Sequence, residues 1–84
     1  MTLVWSVSAW DDYLYWQRTD SKIVARINDL LRDIERNGNA GIGRPELLKH
    51  GLQGYSSRRI THEHRLIYKI VGEEIRVAAC RYHY

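Results

Sequence analysis

Cysteine and proline each occur once in this 84-residue chain, phenylalanine is absent, and nowhere do about 18 apolar residues run together. With Cys80 alone no internal disulfide can form, which excludes the disulfide-stapled class of small secreted domains and fits a reducing compartment. A single Pro, with 44% hydrophobic against 27% charged residues, excludes disordered, low-complexity and collagen-like chains. The start, Met1 to Trp5, reaches Asp11 and Asp12 without a basic segment or an apolar stretch of signal-peptide length. No membrane contact is expected, and the expected location is cytoplasmic. Acid is scarce from Lys49 to the end, where Lys49, Arg58, Arg59, Arg65, Lys69, Arg76 and Arg81 face only Glu63, Glu73 and Glu74, with all four His added. That excess, within a formal charge of +3 and a pI near 9.2, favours a polyanionic partner.

What is present suits one small core. At 9.9 kDa, residues 1–84 read as a single domain. A chain of this size buries only about 60–65% of the surface its unfolded form exposes, so it needs dense packing or a partner. Three Trp and six Tyr supply the packing.

Leu3, Val4 and Trp5 form a short apolar run, expected as a first strand that is buried or docked in the middle of a sheet. Ser6 offers an N-cap. Trp10, Tyr13, Leu14 and Gln17 follow the spacing of one helix face, and that helix is expected to stop near Arg18. Thr19 or Asp20 caps a second helix, in which Ile23, Ile27, Leu30, Leu31 and Ile34 make an apolar stripe. Asn37 and Gly38 end it, and Asn37 to Pro45 reads as a Gly-rich loop. Beyond Pro45 the period changes to two. Tyr55 to Ile60, Arg65 to Val71 and Ile75 to Cys80 read as strands, the last two joined by a turn at Gly72-Glu73. The expected class is therefore α+β, in the order β-α-α-β-β-β: an antiparallel sheet with two N-terminal helices on one face and the other face open.

Adjacent strand residues point to opposite faces, so Arg58 and Arg59 cannot serve one site together. If Leu66, Tyr68 and Ile70 lie under the helices, Arg65 and Lys69 emerge on the open face, where a guanidinium can grip a phosphate. The plainer reading of these residues is solvated surface charge. Glu46, on the segment Pro45 to His50, is a candidate general base. Its plainer reading is an ordinary Glu on an exposed helical turn. His83 is a candidate general acid or base, because continued strand geometry puts it on one face with Arg81, near arginines. Trp10, Tyr13 and Trp16 could stack on bases, but at helical spacing they read as core. His62-x-His64 and Cys80-x-x-His83 lack a four-ligand zinc spacing, so neither a metal nor a cofactor is expected.

Four segments together resemble the YoeB (Txe) branch of the RelE-type bacterial toxins. They are Trp5-Ser6-x-x-Ala9-Trp10 through Trp16, Gly41-x-Gly43-x-Pro45-Glu46-x-Leu48-Lys49, Ser57-Arg58-Arg59-Ile60-Thr61-x-Glu63-His64-Arg65-Leu66-Ile67-Tyr68, and Ala78-Ala79-Cys80-Arg81-Tyr82-His83-Tyr84. The resemblance covers essentially the whole chain and implies a RelE-like microbial ribonuclease fold. It also implies the toxin of a type II toxin–antitoxin system: an endoribonuclease, or mRNA interferase, that inhibits translation by cutting mRNA in the A site of the 70S ribosome. The implied neutralising partner is a YefM-type antitoxin, and homodimers are implied above all within that complex. Carried over by position, the resemblance makes Glu46 the base, His83 the acid and Arg65 the transition-state arginine. Lys49, Arg59, Glu63 and Tyr84 match positions that grip RNA or orient those groups. The chain departs from the family at Tyr55-Ser56, where two bulky aromatics are usual, and in the loop from Asn37 to Gly43.

The residues and the resemblance point to one reaction. Metal-free RNA cleavage needs a base for the 2'-hydroxyl proton, cations for the phosphorane charge and an acid for the leaving 5'-oxygen. Two other readings use the same basic face: a non-catalytic RNA- or ribosome-binding module, and a protein-interaction module for an acidic partner segment.

Overall fold

A computed structural model describes residues 1–82 of the chain. The expectations for His83 and Tyr84 lie outside the described residues. The order is β1 (Thr2–Trp5), α1 (Val7–Thr19), α2 (Ser21–Asn37), β2 (Glu46–Leu47), a 3-10 turn (His50–Leu52), β3 (Ser56–Arg59), β4 (Arg65–Val71) and β5 (Glu74–Ala79). The two helices precede an antiparallel β3-β4-β5 meander, as the residue pattern predicts.

Two additions make the sheet five-stranded and mixed, in the order β1-β5-β4-β3-β2. First, Glu46 and Leu47 are not on a helical turn: they pair antiparallel with Ser57 and Ser56. Second, β1 runs parallel to β5, with Leu3 opposite Ile75 and Trp5 opposite Val77. The expectation that β1 is buried or central is corrected: it is an edge strand, with Leu3 46% and Val4 37% exposed. The cause is local. Ser6 donates to the Ala78 carbonyl through Oγ and accepts from the Ala9 amide, so the chain turns into α1 at once. The core forms between the helices and the inner strands, and no strand among the described residues pairs with the outer edge of β1.

Asp20 is the cap of α2. Its Oδ1 accepts from the amides of Lys22 and Ile23, while its own amide donates to the Trp16 carbonyl and closes α1. Thr19, the other candidate, donates its hydroxyl back to Tyr15 within α1. The stripe Ile23, Ile27, Leu30, Leu31 and Ile34 is buried throughout and packs with Leu66, Tyr68, Ile75 and Val77. Trp16 belongs to that core, but Trp10 does not. At 45% exposed, Trp10 corrects the expectation of a core residue and forms a surface cluster with Trp5 and Tyr13 instead. Among the described residues no helix is long and apolar enough to cross a membrane.

Arg58 is wholly buried. Its Nε donates to the Tyr68 hydroxyl and Nη1 donates to the Asp33 carboxylate and to the Ile42 carbonyl. Its Nη2 donates to the carbonyls of Gly38 and Ala40, at 2.6 and 2.7 Å. The guanidinium thus satisfies the inward carbonyls of a loop that has no ladder of its own. Asp33 also accepts from the Ile42 amide, and the Arg58 hydrogen bond leads the causes that hold its carboxyl below the ordinary 3.8. The pair's contribution is therefore complete above that value and fades as pH falls through the lower folded-state value. Between about pH 5 and about pH 3, Asp33→Asn is expected to lose less melting temperature than the parent. An equal loss in thermal scans of both proteins would discount this pair as a source of the acid sensitivity.

Candidate active site

Strand alternation sorts the functional side chains onto the face that the helices leave open. In β3 and β4, Ser57 lies opposite Ile67 and Arg59 opposite Arg65, so all four share that face, while Arg58 turns inward. Glu46 joins it opposite Ser57. The row Ser57, Ile67 and Ala79 is nearly inaccessible and forms a low, uncharged floor between longer neighbours, Arg59 and Arg65 on one side and Lys69 and Arg76 on the other. Buried Ile67 differs from the exposed position that simple alternation predicts.

At the β2 end of this face, Arg44, Pro45, Glu46, Ser57, Arg59 and Arg65 line a cleft of about 370 Å³. The local sequence explains its wall. Gly43 (φ 82°) and Arg44 (φ 53°) are both left-handed and turn the chain outward. A Cβ at Gly43 would lie 2.7 Å from Leu30 Cδ2, so only glycine brings the loop this close to α2. Pro45 then sets an extended entry to β2, and Leu48 donates to the Tyr55 carbonyl at 2.9 Å to close the hairpin. From strand spacing, the Cα atoms of Glu46 and Arg65 stand roughly 12 Å apart, a gap that their side chains can close around a phosphodiester.

Arg65 is held before any ligand arrives. Its Nη1 donates to the carbonyls of Thr61, His62 and His64 at 2.9, 3.2 and 3.2 Å, leaving Nη2 and Nε without a partner among the described residues. Three guanidinium groups and one carboxylate line the cleft, and none of the ion pairs among the described residues uses them. Such a cleft attracts an anion and presents one proton acceptor beside it.

Of the residues singled out in the sequence, Glu46, Arg59 and Arg65 meet here. Lys49 lies just past β2 and Glu63 in the β3–β4 turn; both are exposed and neither lines the cleft. His83 and Tyr84 fall outside the described residues. Arg44 and Ser57 were missed. Ser57 shares the parity of Arg59, a signal available in the sequence; Arg44 depends on a backbone turn that leaves no periodic mark.

Strand geometry ends at Ala79, which corrects the expectation that it carries Arg81 to one face with the residues that follow. Cys80 donates its amide to Asp12 and accepts from Trp16 Nε1 through its carbonyl, so α1 draws the chain away from the ladder. Arg81 stacks 3.6 Å from the centre of the Tyr15 ring, and Tyr82 is left-handed (φ 61°). Burial, with a smaller effect from Asp12, pushes the Cys80 thiol up to about 12. It is protonated at neutral pH and suits neither metal binding nor nucleophilic attack. Among the described residues no group of three His, Cys, Asp or Glu could hold a metal ion.

The family pattern for the "YoeB-like toxin of bacterial type II toxin-antitoxin system" matches residues 5–84. Toxin YoeB of Escherichia coli (strain K12) is 56% identical over 84 residues, which is 100% of each chain. Among solved structures, a YoeB/ParE toxin from Agrobacterium tumefaciens superposes with a TM-score of 0.97 at 52% identity, covering 100% of both chains. A YoeB–YefM complex from Staphylococcus aureus does so at 0.94 and 49%, covering 100% of this chain and 98% of that one. A YoeB dimer from the same organism matches at 0.95 and 50%, with the same coverage.

Proposed function

The chain belongs to the YoeB-like toxins of bacterial type II toxin–antitoxin systems, and from that premise we propose that it is a ribosome-dependent endoribonuclease of the cytoplasm that cuts mRNA in the ribosomal A site. The observation that carries this reading is the cleft in which one carboxylate, Glu46, faces the guanidinium groups of Arg44, Arg59 and Arg65. Glu46 takes the proton of the 2'-hydroxyl, whose oxygen attacks the adjacent phosphorus. Arg65, oriented by its turn, and Arg59 hold the charge that builds on the phosphorane oxygens. His83 protonates the leaving 5'-oxygen, while Lys49, Glu63 and Tyr84 grip RNA or orient these groups. The arginines outnumber the one carboxylate that a divalent cation could use, so the chemistry needs no metal in the cleft. The nucleophile belongs to RNA, which excludes DNA as a substrate.

The shallow open face explains the dependence on the ribosome, since a strand must be held in line by something else. YefM and YoeB dimers accompany the S. aureus relatives. By extension, a YefM-type antitoxin and a second copy of the chain are the partners of this protein.

The test is cleavage of translated message carrying a 2'-deoxy nucleotide immediately 5' of the scissile phosphate. The deoxy substrate is expected to remain intact while its all-ribose counterpart is cut. Equal cutting of the two would remove the 2'-oxygen from the mechanism. Binding to the ribosome without cutting either would favour a non-catalytic binder.

A further inference from the structure

The last described residues do not trail away from the sheet. Tyr82 donates its amide to His64 Nδ1 at 2.7 Å, and its carbonyl accepts from the Arg65 amide at 2.8 Å. His64 belongs to the turn whose carbonyls hold the Arg65 guanidinium, and Arg65 opens β4 directly after it. The His64 ring is fixed in its turn: it packs edge-on against Trp16, with centroids 4.7 Å apart, and its own amide is held by Thr61 Oγ1 at 3.1 Å. Accepting at Nδ1 requires a lone pair there, so the ring proton resides on Nε2. The imidazole has no other polar contact among the described residues, so its role here is that of an acceptor aimed at one backbone amide.

We infer that His64 is a positioning residue, which fixes the chain at Tyr82 beside Arg65, one residue before the proposed acid. The activity part rests on the reading of His83 as that acid; the anchoring part does not. Tyr82, with its positive φ, has a conformation that L residues seldom adopt without outside support, and the hydrogen bond from its amide to His64 supplies that support.

Two variants and two readouts test it. His64→Asn keeps an acceptor oxygen near the Nδ1 position, whereas His64→Leu keeps the contact with Trp16 and removes the acceptor. Protection of the Tyr82 amide against hydrogen exchange should fall about tenfold in His64→Leu, the effect of losing one hydrogen bond. It should be largely retained in His64→Asn. On ribosome-bound message, His64→Leu should lose at least about tenfold in kcat with KM nearly unchanged, because a misplaced acid slows chemistry rather than binding, and His64→Asn should recover most of it. Unchanged protection of Tyr82 in a folded His64→Leu protein would overturn the anchor. Equal kcat losses in the two variants would overturn the positioning role. Lost Tyr82 protection in a protein whose parent cuts no message would uphold the anchor and remove the cleavage reading instead.

Discussion

Glu46→Gln is expected to cut the turnover of ribosome-bound message by about 10² to 10⁴, the range for one lost proton-transfer role, while leaving binding to the ribosome nearly unchanged. Gln preserves the shape and the hydrogen-bonding reach of the side chain, so the β2–β3 pairing at Ser57 persists and only basicity is removed. Arg65→Ala should be comparably harmful for a different reason. It deletes a guanidinium already oriented by three carbonyls, so the phosphorane charge loses a donor that needs no reorganisation. Single-turnover cleavage, with binding measured in parallel, separates the two effects from a loss of affinity. A Glu46→Gln protein that cuts within a few-fold of the parent would mean that another group takes the 2'-hydroxyl proton.

The second large effect concerns stability. Arg58→Met is expected to destabilise the protein by about 3–5 kcal/mol, because Asp33 loses its cationic partner and the carbonyls of Gly38, Ala40 and Ile42 lose their donor. For a domain of this size the melting temperature should fall by more than about 12 °C. The same change should weaken cleavage, since the pinned loop continues through Gly43 into Arg44 and Glu46 at the cleft. Replacing Asp33 as well should cost less than the two single changes added, because the second removes a carboxylate whose counter-charge the first has removed. Urea unfolding of the three variants measures this. A loss under 1 kcal/mol for Arg58→Met would show that the loop closes without the guanidinium.

The two arginines at 58 and 59 show what the chain determines alone. Period two dictates that they point to opposite faces and that Arg65 alternates with Leu66, because strand alternation is a local property of the backbone; Glu46 owes its place beside Arg59 and Arg65 to pairing with Ser57, which no local pattern records. The stripe of α2 and the caps at Ser6 and Asp20 are equally local, and all three appear where the residues put them. Which face is interior is not local. Arg58 is the inward residue, and a charged side chain there is tolerable only because a loop 16 to 20 residues away in sequence brings it acceptors. Long-range pairing also decided that β1 is a parallel edge and that the ladder ends at Ala79, since each depends on contacts across most of the chain's length. Residue type and spacing record what a side chain can do; only closure of the chain selects the partners that let it do so.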